Sequence, residues 1–81
     1  MDSKKSRVVV GKKQILRELK NANITEIRIA EDVEAEYAES IKAEARRHNV
    51  GYVIRGTMRQ LADEYGVDVP TGAVGTLADE Q

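Results

Sequence analysis

The sequence contains no Cys, Trp or Phe, a single Pro and a single His. Without cysteine there is no disulfide, no thiolate metal site and no cysteine nucleophile. No apolar run approaches the ~20 residues that span a bilayer, and no signal peptide is visible, so a soluble cytoplasmic protein is the expectation. A basic excess is lacking too: 13 Lys and Arg stand against 14 Asp and Glu, a formal net charge of −1. That excludes a chain coated with nucleic acid on every side. Eighty-one residues, 41% of them hydrophobic, make one small globular domain, near the lower size at which a single core suffices.

What is present is unevenly spread. Residues 1–20 hold seven Lys and Arg against Asp2 and Glu18, and the acidic excess lies in the remainder. Positive potential gathered in one segment suits one discrete anionic partner, although a solvated helix face explains it equally well on charge alone.

Val8-Val9-Val10 reads as a short β-branched strand, beginning at Arg7 and buried on both faces. Gly11 supplies a turn, and a helix follows from about Lys12 to Lys20. At about 100° per residue, Ile15, Leu16 and Leu19 share one face, and Lys13, Gln14, Arg17 and Lys20 share the opposite one. The helix start carries unpartnered N–H groups and the positive end of the helix dipole, which together welcome anions. Gly11, Lys12 and Lys20 therefore join Lys13, Gln14 and Arg17 as candidate phosphate-backbone contacts.

The helix is expected to close in Asn21-Ala22-Asn23, with an Asn in the left-handed conformation. Thr25 to Ile29 alternates as a second strand, and Asp32 is the expected N-cap of a helix from about Glu34 to Arg47. Its core face is Ala38, Ile41 and Ala45, and His48 reads as a helix-end residue. Tyr52 to Ile54 forms a third strand. Thr57-Met58-Arg59-Gln60 has the pattern of a capping box, Met58, Leu61, Ala62 and Tyr65 form the buried stripe of a third helix, and Gly66 ends it. A loop, Val67 to Gly72, leads to a last strand, Ala73 to Leu77. Residues 1–6 and 78–81 read as loose tails around a domain spanning 7–77. Strand and helix alternate throughout, which predicts an α/β sandwich on a parallel or mixed four-stranded sheet.

No catalytic constellation is visible. Ser3, Ser6 and Ser40 sit in no nucleophile-elbow pattern, His48 has no partner in sequence, and Gly11-Lys12-Lys13 lacks the upstream Gly and following Ser/Thr of a P-loop. An enzyme is not expected, and no metal or cofactor is implied.

Three segments carry a resemblance when taken together: Gly11-Lys12-Lys13-Gln14-x-x-Arg17, Ile29-Ala30-Glu31-Asp32-Val33, and Gly66-Val67-Asp68-Val69-Pro70-Thr71. In order and spacing they resemble the kink-turn-binding ribosomal proteins of the L7Ae family, above all its short bacterial members, over Val8 to about Leu77. The resemblance implies a three-layer α-β-α sandwich around a mixed four-stranded sheet. It also implies binding to kink-turn RNA, a duplex bent sharply at a bulge beside tandem sheared G·A pairs. Gln14 matches the residue that reads the guanine edge of such a pair, with Lys13 and Arg17 matching its polar and basic neighbours. Val67, Asp68, Val69, Pro70 and Thr71 match the loop that covers the bulged nucleotides. The implied partner is structured RNA, either ribosomal RNA or an mRNA leader, bound by a monomer away from any membrane. The competing reading is a protein-interaction module whose basic helix face binds an acidic partner, with no preference for kinked over straight RNA.

Overall fold

The computed structural model describes residues 7–78. The elements run β1 (Val8–Val10), α1 (Lys12–Lys20), β2 (Ile24–Ile29), α2 (Ala35–Arg47), β3 (Gly51–Ile54), α3 (Met58–Tyr65) and β4 (Ala73–Leu77). The loose tails expected at 1–6 and 79–81 lie outside the described residues. Ala78 is described, and its N–H donates to the Asn23 carbonyl at 2.6 Å.

The sheet has the order β1-β4-β2-β3 and is mixed. β4 runs antiparallel to both β1 and β2, whereas β2 and β3 are parallel. The alternating side chains of this sheet feed two cores. On one face, Ile27 and Ile29 of β2 pack with Ile15 and Leu19 of α1 and Ile41 and Ala45 of α2. On the other, Val74 of β4 and Ala30 pack with Leu61 of α3, bordered by Val8, Val10, Met58 and Tyr65. Two helices cover one face and one helix the other, giving the three-layer sandwich.

Three local expectations are corrected. β1 is an edge strand and only half-buried, because β4 flanks it on one side alone. The left-handed residue after α1 is Ala22 (φ 58°), not an asparagine; the Asn23 side chain instead donates to Glu18 at 2.8 Å. Asp32 does not cap α2, whose N-cap is Glu34 without a side-chain bond. Asp32 Oδ1 instead accepts from the Met58 N–H at 2.9 Å, closing the start of α3 from a different loop. A carboxylate suits either helix start, and tertiary proximity decides which one it serves.

The capping box on α3 is formed as its sequence predicts. Gln60 N–H donates to Thr57 Oγ1 (3.1 Å), and Thr57 N–H donates to Gln60 Oε1 (2.8 Å). Gly66 ends the helix in the left-handed region at φ 69°. His48 is the C-cap of α2, beside Glu44. Ser40 donates its hydroxyl back to the Glu36 carbonyl at 3.1 Å, a local role within α2.

Candidate nucleic-acid interface

The antiparallel run of β4 decides the geometry of the site. Gly11 follows β1 and the 67–72 loop precedes β4, and antiparallel pairing puts both at one end of the sheet. The Gly11 N–H donates to the Ala73 carbonyl at 3.0 Å, so the loop joins the sheet directly beside the start of α1.

Gly11 has φ 97° and ψ 152°, a region essentially reserved for glycine, although a Cβ there would meet no atom within 4 Å. The requirement is one of backbone conformation, not of space. From this turn α1 rises with Ile15 and Leu19 buried and with Lys13, Gln14, Arg17 and Lys20 exposed on the far side. Burial of the aliphatic face fixes the direction of the polar one. Gly11 caps α1 without a side-chain bond, so no side chain of the described residues closes this helix start.

Lys12 faces elsewhere. Its ammonium lies 5.7 Å from the centre of the Tyr37 ring, a cation–π contact across α1 and α2. Burial pushes the Tyr37 phenol above its ordinary range, an effect partly offset by the Lys12 backbone. The same ring lies against Gly72, where an added Cβ would fall 2.8 Å from Tyr37 Cε1. Gly72 is thus required by close approach, and it brings the loop down onto α2.

Within the loop the candidate residues divide. Asp68, Val69 and Pro70 are exposed, and Val69 has 61% of its surface open to solvent, more than any other large aliphatic among the described residues. Val67 is half-buried, and Thr71 is 4% exposed. Thr71 donates its hydroxyl to the Val69 carbonyl (3.2 Å) and its N–H to the Met58 carbonyl (3.1 Å). Its side chain shapes the loop from inside. The five-residue run therefore offers its outer three residues as a surface and is held by the other two.

Two carboxylates that sequence reasoning left without a role at the site organise it from behind. Glu31 exchanges main-chain and side-chain bonds with Gly56: Glu31 N–H donates to the Gly56 carbonyl (2.7 Å), and Gly56 N–H donates to Glu31 Oε2 (3.1 Å). Asp32 holds Met58, Met58 holds Thr71, and Ala30 N–H donates to the Gly72 carbonyl at 2.8 Å. Three loops are stitched together at the same end. The acidic pair after an apolar strand was visible in sequence, but its partners are more than 20 residues away.

Between these loops lies an open groove of about 430 Å³ lined by Asp32, Val33, Glu34, Tyr37, Met58, Pro70 and Gly72. It joins apolar walls to carboxylate acceptors directly beside Val69 and Lys12. The end of the molecule thus offers a cationic helix face, an amide able to donate and accept, an exposed aliphatic loop and a half-apolar groove. Among the described residues no group of His, Asp and Glu is arranged to hold a metal.

A small mixed sheet with two helices on one face and one on the other defines a three-layer α/β domain. The chain belongs to the ribosomal protein L7Ae/L30e/S12e/Gadd45 family, whose sequence pattern matches residues 1–81. It is 32% identical over 71 residues to the RNA-binding protein YbxF of Geobacillus stearothermophilus, covering 88% of this chain and 87% of that protein. It is 29% identical over 73 residues to the RNA-binding protein TTE2299 of Caldanaerobacter subterraneus, covering 90% and 89% of the two chains. In fold it is similar to a 15.5 kD RNA-binding protein of Giardia lamblia, with a TM-score of 0.83 and 20% identity over 90% of this chain and 62% of that one. A Bacillus halodurans protein of unknown function has the same fold, with a TM-score of 0.81 and 13% identity over 85% of this chain and 69% of that one.

Proposed function

We propose that this protein recognises kink-turn RNA and stabilises its bent form, as a cytoplasmic binding protein without catalytic activity. The observation that carries this reading is the junction at Gly11, where the start of the exposed Lys13, Gln14, Arg17 and Lys20 face shares one end of the sheet with the Asp68–Pro70 loop. A kink crowds phosphates, and Lys13 beside the open helix start, with Arg17 and Lys20 further along the same face, relieves that repulsion. Gln14 sits at one edge of the cationic face, in the first turn of α1, where an amide can meet both donor and acceptor on a base edge. Exposed Val69 and the adjacent groove suit an unstacked base, because RNA is read mostly at splayed nucleotides. By binding only the bent conformer the protein shifts the RNA population toward it. Ribosomal RNA and mRNA leaders are the structured RNAs in which such a bend would serve.

The test is a titration into kink-turn RNA at physiological salt, with a control RNA whose sheared G·A pairs are replaced by Watson–Crick pairs. Tight binding that is lost in the control is the expected result. Equal, weak and salt-sensitive binding to both RNAs would overturn the reading and leave a basic patch for an acidic protein partner.

A further inference from the structure

The sheet edge away from β1 is open. β3 lies at the end of the order β1-β4-β2-β3, so only one of its sides is paired. The bond from Arg55 N–H to the Ile29 carbonyl (3.1 Å), with Ile54 opposite Ile29, fixes which groups turn inward. By the alternation of a parallel ladder, Val53 and Arg55 address β2, while the N–H and C=O groups of Tyr52 and Ile54 point away from the sheet. The strand is short, which limits the edge, but it carries none of the charges, prolines or bulges that otherwise blunt one. Val53 and Ile54, at 42% and 46% exposure, are two of the three large aliphatics most open to solvent among the described residues, and both lie here.

We propose that β3 pairs with β3 of a second copy of this chain, antiparallel and centred on Val53, to make one continuous eight-stranded sheet about a two-fold axis. The register is dictated by the edge itself. Centring on Val53 sets Tyr52 opposite Ile54 of the second copy, twice, so all four outward-pointing donors and acceptors meet a partner. The two Val53 side chains then face each other as a close non-hydrogen-bonded pair. On the other face of the strand each Ile54 lies beside a Tyr52 ring.

Charge supports the same register. It sets Arg55 opposite Gly51 of the second copy, which has no side chain to block it. Glu26 is the β2 partner of Gly51, points to the same face and is exposed. Arg55 therefore reaches across the glycine toward Glu26, two strand spacings or about 10 Å away at the backbone. Among the described residues neither Glu26 nor Arg55 forms an ion pair within its own copy. The edge complements itself, and another strand matches the regular spacing of its main-chain donors and acceptors. A four-residue strand makes a small interface, so Kd is expected on the order of 0.1–1 mM. At high concentration the dimer would form from the monomer that the sequence alone suggests, through residues that are not among the candidate RNA contacts.

Sedimentation equilibrium and diffusion measurements from about 20 µM to about 2 mM test it. The average mass should climb from one copy toward two, with amide shifts confined to Gly51–Arg55 and Glu26. Val53→Lys sets two cations face to face and should abolish the rise, with the thermal midpoint unchanged as a check on folding. Glu26→Arg and Arg55→Glu should each weaken association several-fold, and the two together should restore it. A wild-type protein that stays monomeric at about 2 mM overturns the proposal and leaves the edge to a strand from another protein. Failure of the double exchange to restore association overturns the register and the proposal with it.

Discussion

The starts of α1 and α3 lie at the same end of the sheet and are treated in opposite ways. At α3 the N–H groups are occupied: Thr57 Oγ1 takes the Gln60 N–H, Asp32 Oδ1 takes that of Met58, and Gln60 returns a bond to Thr57. At α1 the cap is a glycine with φ 97° and no side-chain bond, preceded by an edge strand and followed by cations. One start is closed and serves the fold; the other is left open where an anion can approach. A helix start with most of its caps filled has few donors left to offer, so of the two starts at this end α1 is the one open to a ligand.

The largest expected effect is at the open start. Gly11→Ala has space for its Cβ but not the backbone conformation, so about 1–3 kcal/mol of stability should be lost. RNA affinity should fall as well, because relief of the strain re-aims the first turn of α1. Chemical denaturation alongside RNA titration separates the two losses, and an alanine variant of unchanged stability would show that the turn is not strained.

Next come the side chains on that helix. Gln14→Ala should leave folding intact and cost roughly 1–3 kcal/mol of binding to kinked RNA, with loss of selectivity over the control duplex. Arg17→Ala should instead weaken all RNAs together and lower the salt slope by about one. Retained selectivity in the Gln14 variant would remove that residue from base reading.

At the closed start the pattern should invert. Thr57→Ala should cost about 1 kcal/mol of stability by opening the capping box, with RNA selectivity retained. A shift in selectivity from this variant would mean that the two helix starts are not separate in function.

The smallest effect is expected at the far end of α3. Glu64 accepts from Arg28 at 2.8 Å, and that bond holds its carboxyl below the ordinary carboxylate range. The stability it adds is full above the ordinary range and is lost as pH falls through the lowered pKa. Wild type and Glu64→Gln should therefore differ slightly near neutrality and converge in acid. Urea midpoints over a pH series would show it; a gap that persists in strong acid would mean that the carboxylate charge is not what matters.

The two ends of α3 and the whole of α1 were legible in the sequence because their signals are local. Ile15 and Leu19 repeat at helical spacing, Thr57 and Gln60 lie three residues apart, and Gly66 falls where a helix must turn left-handed. Such patterns are settled by backbone geometry within one or two turns. The cationic face is legible for the same reason, since burying one side of a helix dictates the other. Thr71 shows the limit: its hydroxyl and N–H have the composition of a loop contact, yet both point inward, to Val69 and Met58.

The sequence by itself determined the order of elements, the two-faced α1, the capping box and the left-handed stop at Gly66. Only the tertiary structure decided that β4 runs antiparallel, and with it that Gly11 and the 67–72 loop share one end. It also decided that Asp32 caps α3 and not its own helix, and that β1 and β3 are edges. Strand direction and cross-loop bonds join residues tens of positions apart. Closing such contacts depends on how all the layers pack at once, and no short-range period encodes that.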